Sequence, residues 1–241
     1  MAGRDEIMIV EFFGLPGAGK STLAAALVTA LRTSGDPASC PSSMVGSDVS
    51  APLRYVRKST RIGSSVFRRP AASFRLLRSI AESEQESKTQ VGKRWGDFML
   101  AQAFLSQQPS GGSVVLDQGF MQAVWSIGLR GRLESPLQTL SGTTDAWSRP
   151  DRVIVVEAPL DQLAKRLRAR ASRHSRVQDS GRSMVAELDR ARDLMSHLLA
   201  EARSLGLEPE SIITIENPDS ASPEDLVSSI SPLLGRGSRG R

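Results

Sequence analysis

Cysteine is nearly missing from this chain: Cys40 is the single one in 241 residues. An internal disulfide and a cysteine metal cluster are thereby excluded, and such sparing use suits a reducing cytosol. Long apolar runs are lacking as well. No uninterrupted stretch is long enough to span a bilayer, and Met1 to Glu6 leads straight into an apolar strand, leaving no room for a signal peptide. The expectation is a cytoplasmic protein. Histidine is scarce, and His174 has no partner visible in the sequence, so it is given no catalytic role. No internal repeat is found, and 39% hydrophobic residues suffice for the core of one α/β domain with an elaborated insert. Acidic residues are missing from one long stretch, Val49 to Ala81, which holds Arg54, Arg57, Lys58, Arg61, Arg68, Arg69, Arg75 and Arg78. The net charge of +5 is therefore local in origin, which bears on anionic partners more than the total does.

What the chain does have is Gly14-Leu15-Pro16-Gly17-Ala18-Gly19-Lys20-Ser21, set between the apolar run Ile7 to Phe13 and the helix-forming Thr22 to Val28. Glycine, four residues, then Gly-Lys-Ser, between strand and helix, is the phosphate-loop pattern. Gly14, Gly17 and Gly19 let the backbone curl until several N–H groups face an anion, and the helix adds its positive end. Lys20 is placed to reach the β- and γ-phosphates of ATP, and the Ser21 hydroxyl to ligate a bridging Mg2+. The nucleotide-binding residues expected from this stretch are Gly14, Pro16, Gly17, Ala18, Gly19, Lys20, Ser21 and Thr22.

Helix 1 should run to about Arg32 and stop at Thr33-Ser34-Gly35-Asp36-Pro37. Met44-Val45 could supply a short second strand, with Asp48 at its end as a substrate contact or a helix cap. Residues 52 to 108 read as helical, with breaks at Gly63-Ser64-Ser65 and at Arg69-Pro70. Arg54, Arg57, Lys58 and Arg61 share one helical face, either for anion recognition or as a solvated face. Trp95, Phe98, Met99, Gln102 and Leu105 keep helical spacing and read as core. Ser113 to Asp117 is a buried strand closing on a carboxylate, which sits beside the magnesium shell, caps the helix Phe120 to Arg130, or does both.

Arg152 to Glu157 is the next buried strand, followed by Pro159 and a helix with Leu160, Leu163 and Leu167 inward and Arg166 and Arg170 on another face. The polar, arginine-bearing segment around 171–183 suits a mobile lid. Met184 to Leu205 is a long amphipathic helix, Ser211 to Glu216 the last strand, Asn217-Pro218 a turn, and Pro223 to about Leu234 the last helix. Domain organisation is thus one unit over 1–234, with 50–110 as an acceptor-binding insert and 235–241 as a disordered basic tail.

This order of parts resembles the phosphate-loop nucleoside and nucleotide kinases, in particular the thymidylate and adenylate kinase branch. The resemblance covers the first strand and loop, the strand ending in Asp117, and Val153 to Arg173. It implies a three-layer α/β fold with a parallel five-stranded sheet in the order 2-3-1-4-5, a helical insert and a short lid. It also implies that Arg166 stacks on adenine, that Arg170 contacts the phosphates, that Arg173 is a lid arginine, and that Asn217 and Pro218 lie near the adenine. Lys20, Asp117, Arg170 and Arg173 become the catalytic candidates, Ser21 and Asp117 the metal ligands, and Arg54, Arg57, Lys58 and Arg61 the acceptor contacts. One departure stands out. Thymidylate kinases carry Asp-Arg where this chain has Asp117-Gln118, and glutamine cannot neutralise a phosphate. The function expected is an ATP- and Mg2+-dependent kinase with a small, anionic acceptor, a nucleoside or nucleotide among the candidates. An ATPase or nucleotide-gated module binding a polyanion such as RNA is the alternative, and a polynucleotide 5′-hydroxyl kinase a third.

Overall fold

The computed structural model describes residues 7–41, 51–106, 112–131, 136–138, 140, 149–169, 183–204 and 207–234, with backbone alone for 51–58, 106 and 204. Asp48, Met44-Val45, Arg170, Arg173, nearly all of the expected lid and the basic tail lie outside these residues. Among the described residues, no helix is long and apolar enough to cross a membrane.

Among the described residues, four parallel strands form the sheet: β1 (Met8–Gly14), β2 (Ser113–Leu116), β3 (Arg152–Glu157) and β4 (Ile212–Glu216), in the order β2-β1-β3-β4. β2 is buried throughout, and so is β3 apart from its two end residues, as expected of strands covered on both faces by crossover helices. The described residues thus supply four strands and not the expected five in the order 2-3-1-4-5. At the outer edge of β2 stands a single bridge, Ser39 with Val114, in which the Ser39 N–H donates to Ser113 O and its carbonyl accepts from Val115 N–H, both at 2.8 Å. Pro37 and Pro41 flank this bridge, and a residue without an N–H cannot extend a ladder.

Helix α1 (Lys20–Thr33) follows the loop and packs along the last helix, α8 (Pro223–Leu234). On the other face lies α5 (Phe120–Gly128), against α7 (Met184–Ser204), with the Trp125 indole N–H donating to Ala191 O at 3.0 Å. Right-handed crossovers from β1 to β2 and from β2 to β3 run in opposite directions across the sheet, so they put α1 and α5 on opposite faces. α6 (Leu160–Ala169) follows β3, with Leu163, Ala164 and Leu167 inward.

The insert is three helices: α2 (Ala51–Arg68), α3 (Pro70–Glu82) and α4 (Lys88–Ser106). The break at Arg69-Pro70 is found, with Arg69 out of the helical region (φ −142, ψ 60) ahead of a proline in the first turn. The break at Gly63 is not. Ser65 is buried beside it and Ile62 and Val66 pack on the core, so packing offsets the roughly 1 kcal/mol that glycine costs in a helix. A second break comes instead at 83–87, where Ser83 caps α3, its N–H on Ser79 O and its hydroxyl on Ile80 O. Phe98, Met99, Gln102 and Leu105 are buried as core, and the Trp95 indole N–H donates to Ser73 O at 3.0 Å. α5 ends at Gly128, short of Arg130.

Candidate nucleotide and metal site

The carboxyl ends of β1, β2, β3 and β4 meet on one side of the sheet, and there the chain turns at Gly14. Past the strand, the Ala18 N–H donates to Leu15 O and the Leu23 N–H to Gly19 O, closing the loop onto α1. Gly17 (φ 90) and Gly19 (φ 97) both hold left-handed backbone that a side chain would strain. At Gly19 space is also lacking, because a Cβ would run into the Asn217 amide nitrogen.

That amide belongs to a clamp. Asn217 Nδ2 donates to Ala18 O at 2.7 Å, and the Asn217 N–H donates to Glu157 O at 2.8 Å, so the turn after β4 is tied to the loop and to β3. Arg166 on α6 reaches the same place. Its Nη1 donates to Gly17 O (3.3 Å), its Nη2 to Asn217 O (3.1 Å) and its Nε to Asp219 Oδ1 (3.0 Å). Arg166 and Asn217 therefore meet at the loop, with Asp219 as a partner that sequence reasoning passed over. Its signal was faint, a single acid in a turn after Asn-Pro.

Lys20 Nζ donates to Gly14 O at 2.7 Å and Leu15 O at 3.0 Å, which lays the ammonium across the start of the loop. One residue on, the Ser21 hydroxyl donates to Asp117 Oδ2 at 2.6 Å. Two groups 96 positions apart in the chain are thus in contact beside the loop lysine. The other oxygen, Asp117 Oδ1, is buried and has no hydrogen-bond partner among the described residues. A hydroxyl, a carboxylate and one unused carboxylate oxygen fit Mg2+, a hard cation that keeps several waters and takes only one or two protein oxygens. No cluster of three or more His, Cys, Asp or Glu side chains suited to a metal occurs among the described residues.

Asp117 does not cap α5. The cap comes from Glu11 in the middle of β1, whose Oε2 accepts from Met121 N–H at 3.0 Å and whose Oε1 accepts from Gln122 N–H at 2.9 Å. Glu11 is fully buried, and burial pushes its pKa up to about 7 against the downward pull of the α5 amides. The sequence carried a signal here that went unread: a carboxylate inside an apolar strand must find partners.

The acceptor side is described only in part. Arg54, Arg57 and Lys58 lie on α2 without described side chains, and the Arg61 guanidinium sits 5.1 Å from the centre of the Phe104 ring. Gln118 is exposed beside Asp117.

Comparison with known proteins bears on this arrangement in three ways. Residues 9–195 match the sequence model of a family described as an AAA domain. The chain belongs to that family. Among solved structures, this AAA domain protein is similar to thymidylate kinase from Candida albicans, with a TM-score of 0.55 and 13% identity over 95% of this chain and 91% of that one. At that identity the likeness is one of fold: helices packed on a parallel α/β sheet. No curated protein matches the AAA domain chain.

Proposed function

We propose that this protein is an ATP- and Mg2+-dependent phosphotransferase that moves the γ-phosphate of ATP to a hydroxyl of a small acceptor, nucleosides and nucleotides being the first class to try. One observation carries the reading: Ser21 and Asp117 in contact at 2.6 Å, next to Lys20, with Asp117 Oδ1 left over. In this reading the amides of Gly14 to Ser21 and Thr22 cradle the phosphates, and Lys20 leaves the Gly14 and Leu15 carbonyls for the β- and γ-phosphates. Ser21 and Asp117 hold the metal, which when bound supplies charge to the phosphate oxygens. Arg166, held at the loop by its hydrogen bonds to Gly17, Asn217 and Asp219, offers adenine a stacking face, and Asn217 keeps the loop in shape. Arg170 and Arg173 stabilise the charge spread over the transferring group. Asp117 positions rather than deprotonates the acceptor hydroxyl, because a carboxylate committed to a metal is a weak base. Arg54, Arg57, Lys58 and Arg61 supply acceptor contacts, Gln118 having no charge to offer a phosphate.

A second reading is favoured by exposed residues near the break between α2 and α3. Phe67 and Phe74 are 89% and 68% exposed, and Arg68, Arg69 and Arg75 are exposed around them, a combination suited to a polyanion such as RNA. In that case the site would hydrolyse ATP or be gated by it. The experiment is a screen with γ-labelled ATP against nucleosides, nucleotides, sugars and short oligonucleotides, with Asp117→Ala as control. Label moving to an acceptor supports the phosphotransferase. Free phosphate accumulating with every acceptor, together with salt-dependent RNA binding, supports the second reading instead.

A further inference from the structure

Helix α5 begins three residues after Asp117, and its first amides need acceptors. A local cap is the usual solution, yet position 119 is glycine and has no side chain to offer. The acceptors come from Glu11, 110 and 111 residues away in sequence, at 3.0 and 2.9 Å. Gly119 is shaped for this arrangement. A Cβ there would sit 2.6 Å from the Glu11 carboxyl carbon and 2.7 Å from Oε2, so the glycine is what admits the carboxylate. Strand β1 also pairs with β2 at Glu11 and Leu116, the residue just before Asp117. The turn 117–119 is therefore pinned from both ends by the same residue: by backbone pairing at Leu116 and by the carboxylate at the first turn of α5.

From this geometry we infer that Glu11 is the positioning residue of the metal site: by capping α5 from β1 it leaves Asp117 free to face Ser21. The inference rests on the Mg2+ and ATP reading of the loop. The physical step is a competition. An acid in the residues before a helix is drawn to that helix's unpaired amides, both by hydrogen bonding and by the helix dipole. With Glu11 in place those amides are satisfied, and Asp117 spends its oxygen on Ser21. With Glu11 gone, Asp117 is the nearest acid before α5 in the chain, and each turn toward the amides takes it away from the metal.

The test is binding, read by calorimetry with ATP in EDTA and with ATP over a Mg2+ series, on wild type, Glu11→Ala, Asp117→Asn and the double variant. The expected result is that Glu11→Ala leaves metal-free ATP binding within about twofold and weakens the apparent Mg2+ affinity about tenfold. The double variant should be no weaker than Asp117→Asn alone, because Glu11 acts through Asp117. A residue that merely supports the fold would give additive losses and would weaken metal-free ATP binding too. Gly119→Ser in the Glu11→Ala background should restore most of the Mg2+ affinity, since serine can cap α5 locally in the space the carboxylate leaves. If Glu11→Ala does not fold, Glu11→Gln, which keeps one acceptor oxygen, takes its place in the same cycle. Unchanged Mg2+ affinity on loss of the carboxylate, or additive losses, overturns the role of Glu11. Wild-type protein that binds ATP equally with and without Mg2+ overturns the metal reading itself, and this inference with it.

Discussion

The Ser21 hydroxyl donates to Asp117 Oδ2 at 2.6 Å, joining the start of α1 to the end of β2. The contact makes the two residues one unit, so their substitutions should not add. Asp117→Ala is expected to lower phosphoryl transfer at least a hundredfold, and Ser21→Ala by a similar factor, with the double variant close to either single one. Chelation of Mg2+ should reproduce the loss in wild type and add little to it in Asp117→Ala. Initial rates with γ-labelled ATP at fixed acceptor check this. Independent, multiplying losses would show that the pair does not act as one metal site.

Asn217 holds the loop by a single amide hydrogen bond to Ala18 O at 2.7 Å. Removing it frees the loop backbone without disturbing the core, so Asn217→Ala should weaken ATP binding by about tenfold, near the 1 to 1.5 kcal/mol of one such bond, while thermal stability moves little. Gly19→Ala should be worse in wild type than in Asn217→Ala. Its Cβ meets the Asn217 amide only when that amide is present, although the strain at φ 97 persists in both. Calorimetric ATP titrations of the four proteins decide the matter.

How much of this was legible beforehand depended on whether a contact is local in the chain. The loop could be read because all its parts, glycines, lysine and serine, are consecutive, and their spacing is itself the geometry. Asp117 could be found from strand periodicity, since a carboxylate at the end of Val114-Val115-Leu116 must sit at the sheet edge. Its choice between metal and cap could not. That choice is made by Glu11, and nothing in the sequence says which helix a residue on β1 will face. The same holds for Asp219, which matters only because α6 brings Arg166 across to it. The expected second strand, Met44-Val45, lies outside the described residues, and Gly63 stays inside a helix because buried neighbours override its local preference.

Arg94 on α4 is 1% exposed, and its guanidinium is poorly served: Nη2 donates to Gln90 Oε1 at 2.7 Å, Nη1 lies 3.5 Å from Asp97 Oδ2, and Nε has no partner among the described residues. Burial, opposed by Asp97, brings its pKa down to about 10. A buried charge so incompletely paired stabilises little relative to an apolar residue of the same length. Arg94→Met should therefore be neutral or stabilising, while Arg94→Ala, which leaves a cavity, should cost about 2 to 4 kcal/mol. Urea denaturation distinguishes them, and a Met variant as unstable as the Ala one would show that the charge itself holds α4 in place.

Glu11 gives stability a pH dependence whose sign follows from its environment. Its carboxyl is held up to about 7 in the folded chain, against an ordinary value of 4.5, because burial outweighs the α5 amides. Between these two values the folded protein keeps a proton that the unfolded chain has released. Stability from this group is therefore highest at acid pH and falls as pH rises from 4.5 through 7, by on the order of 3 kcal/mol across the window. Glu11→Gln cannot titrate and removes that slope, though at the loss of one amide acceptor. Urea midpoints at pH 5 and pH 8 should show wild type losing stability relative to Glu11→Gln on going to pH 8. Parallel pH profiles in the two proteins would mean that the α5 amides fully offset burial, and that the carboxyl titrates alike in the folded and unfolded chain.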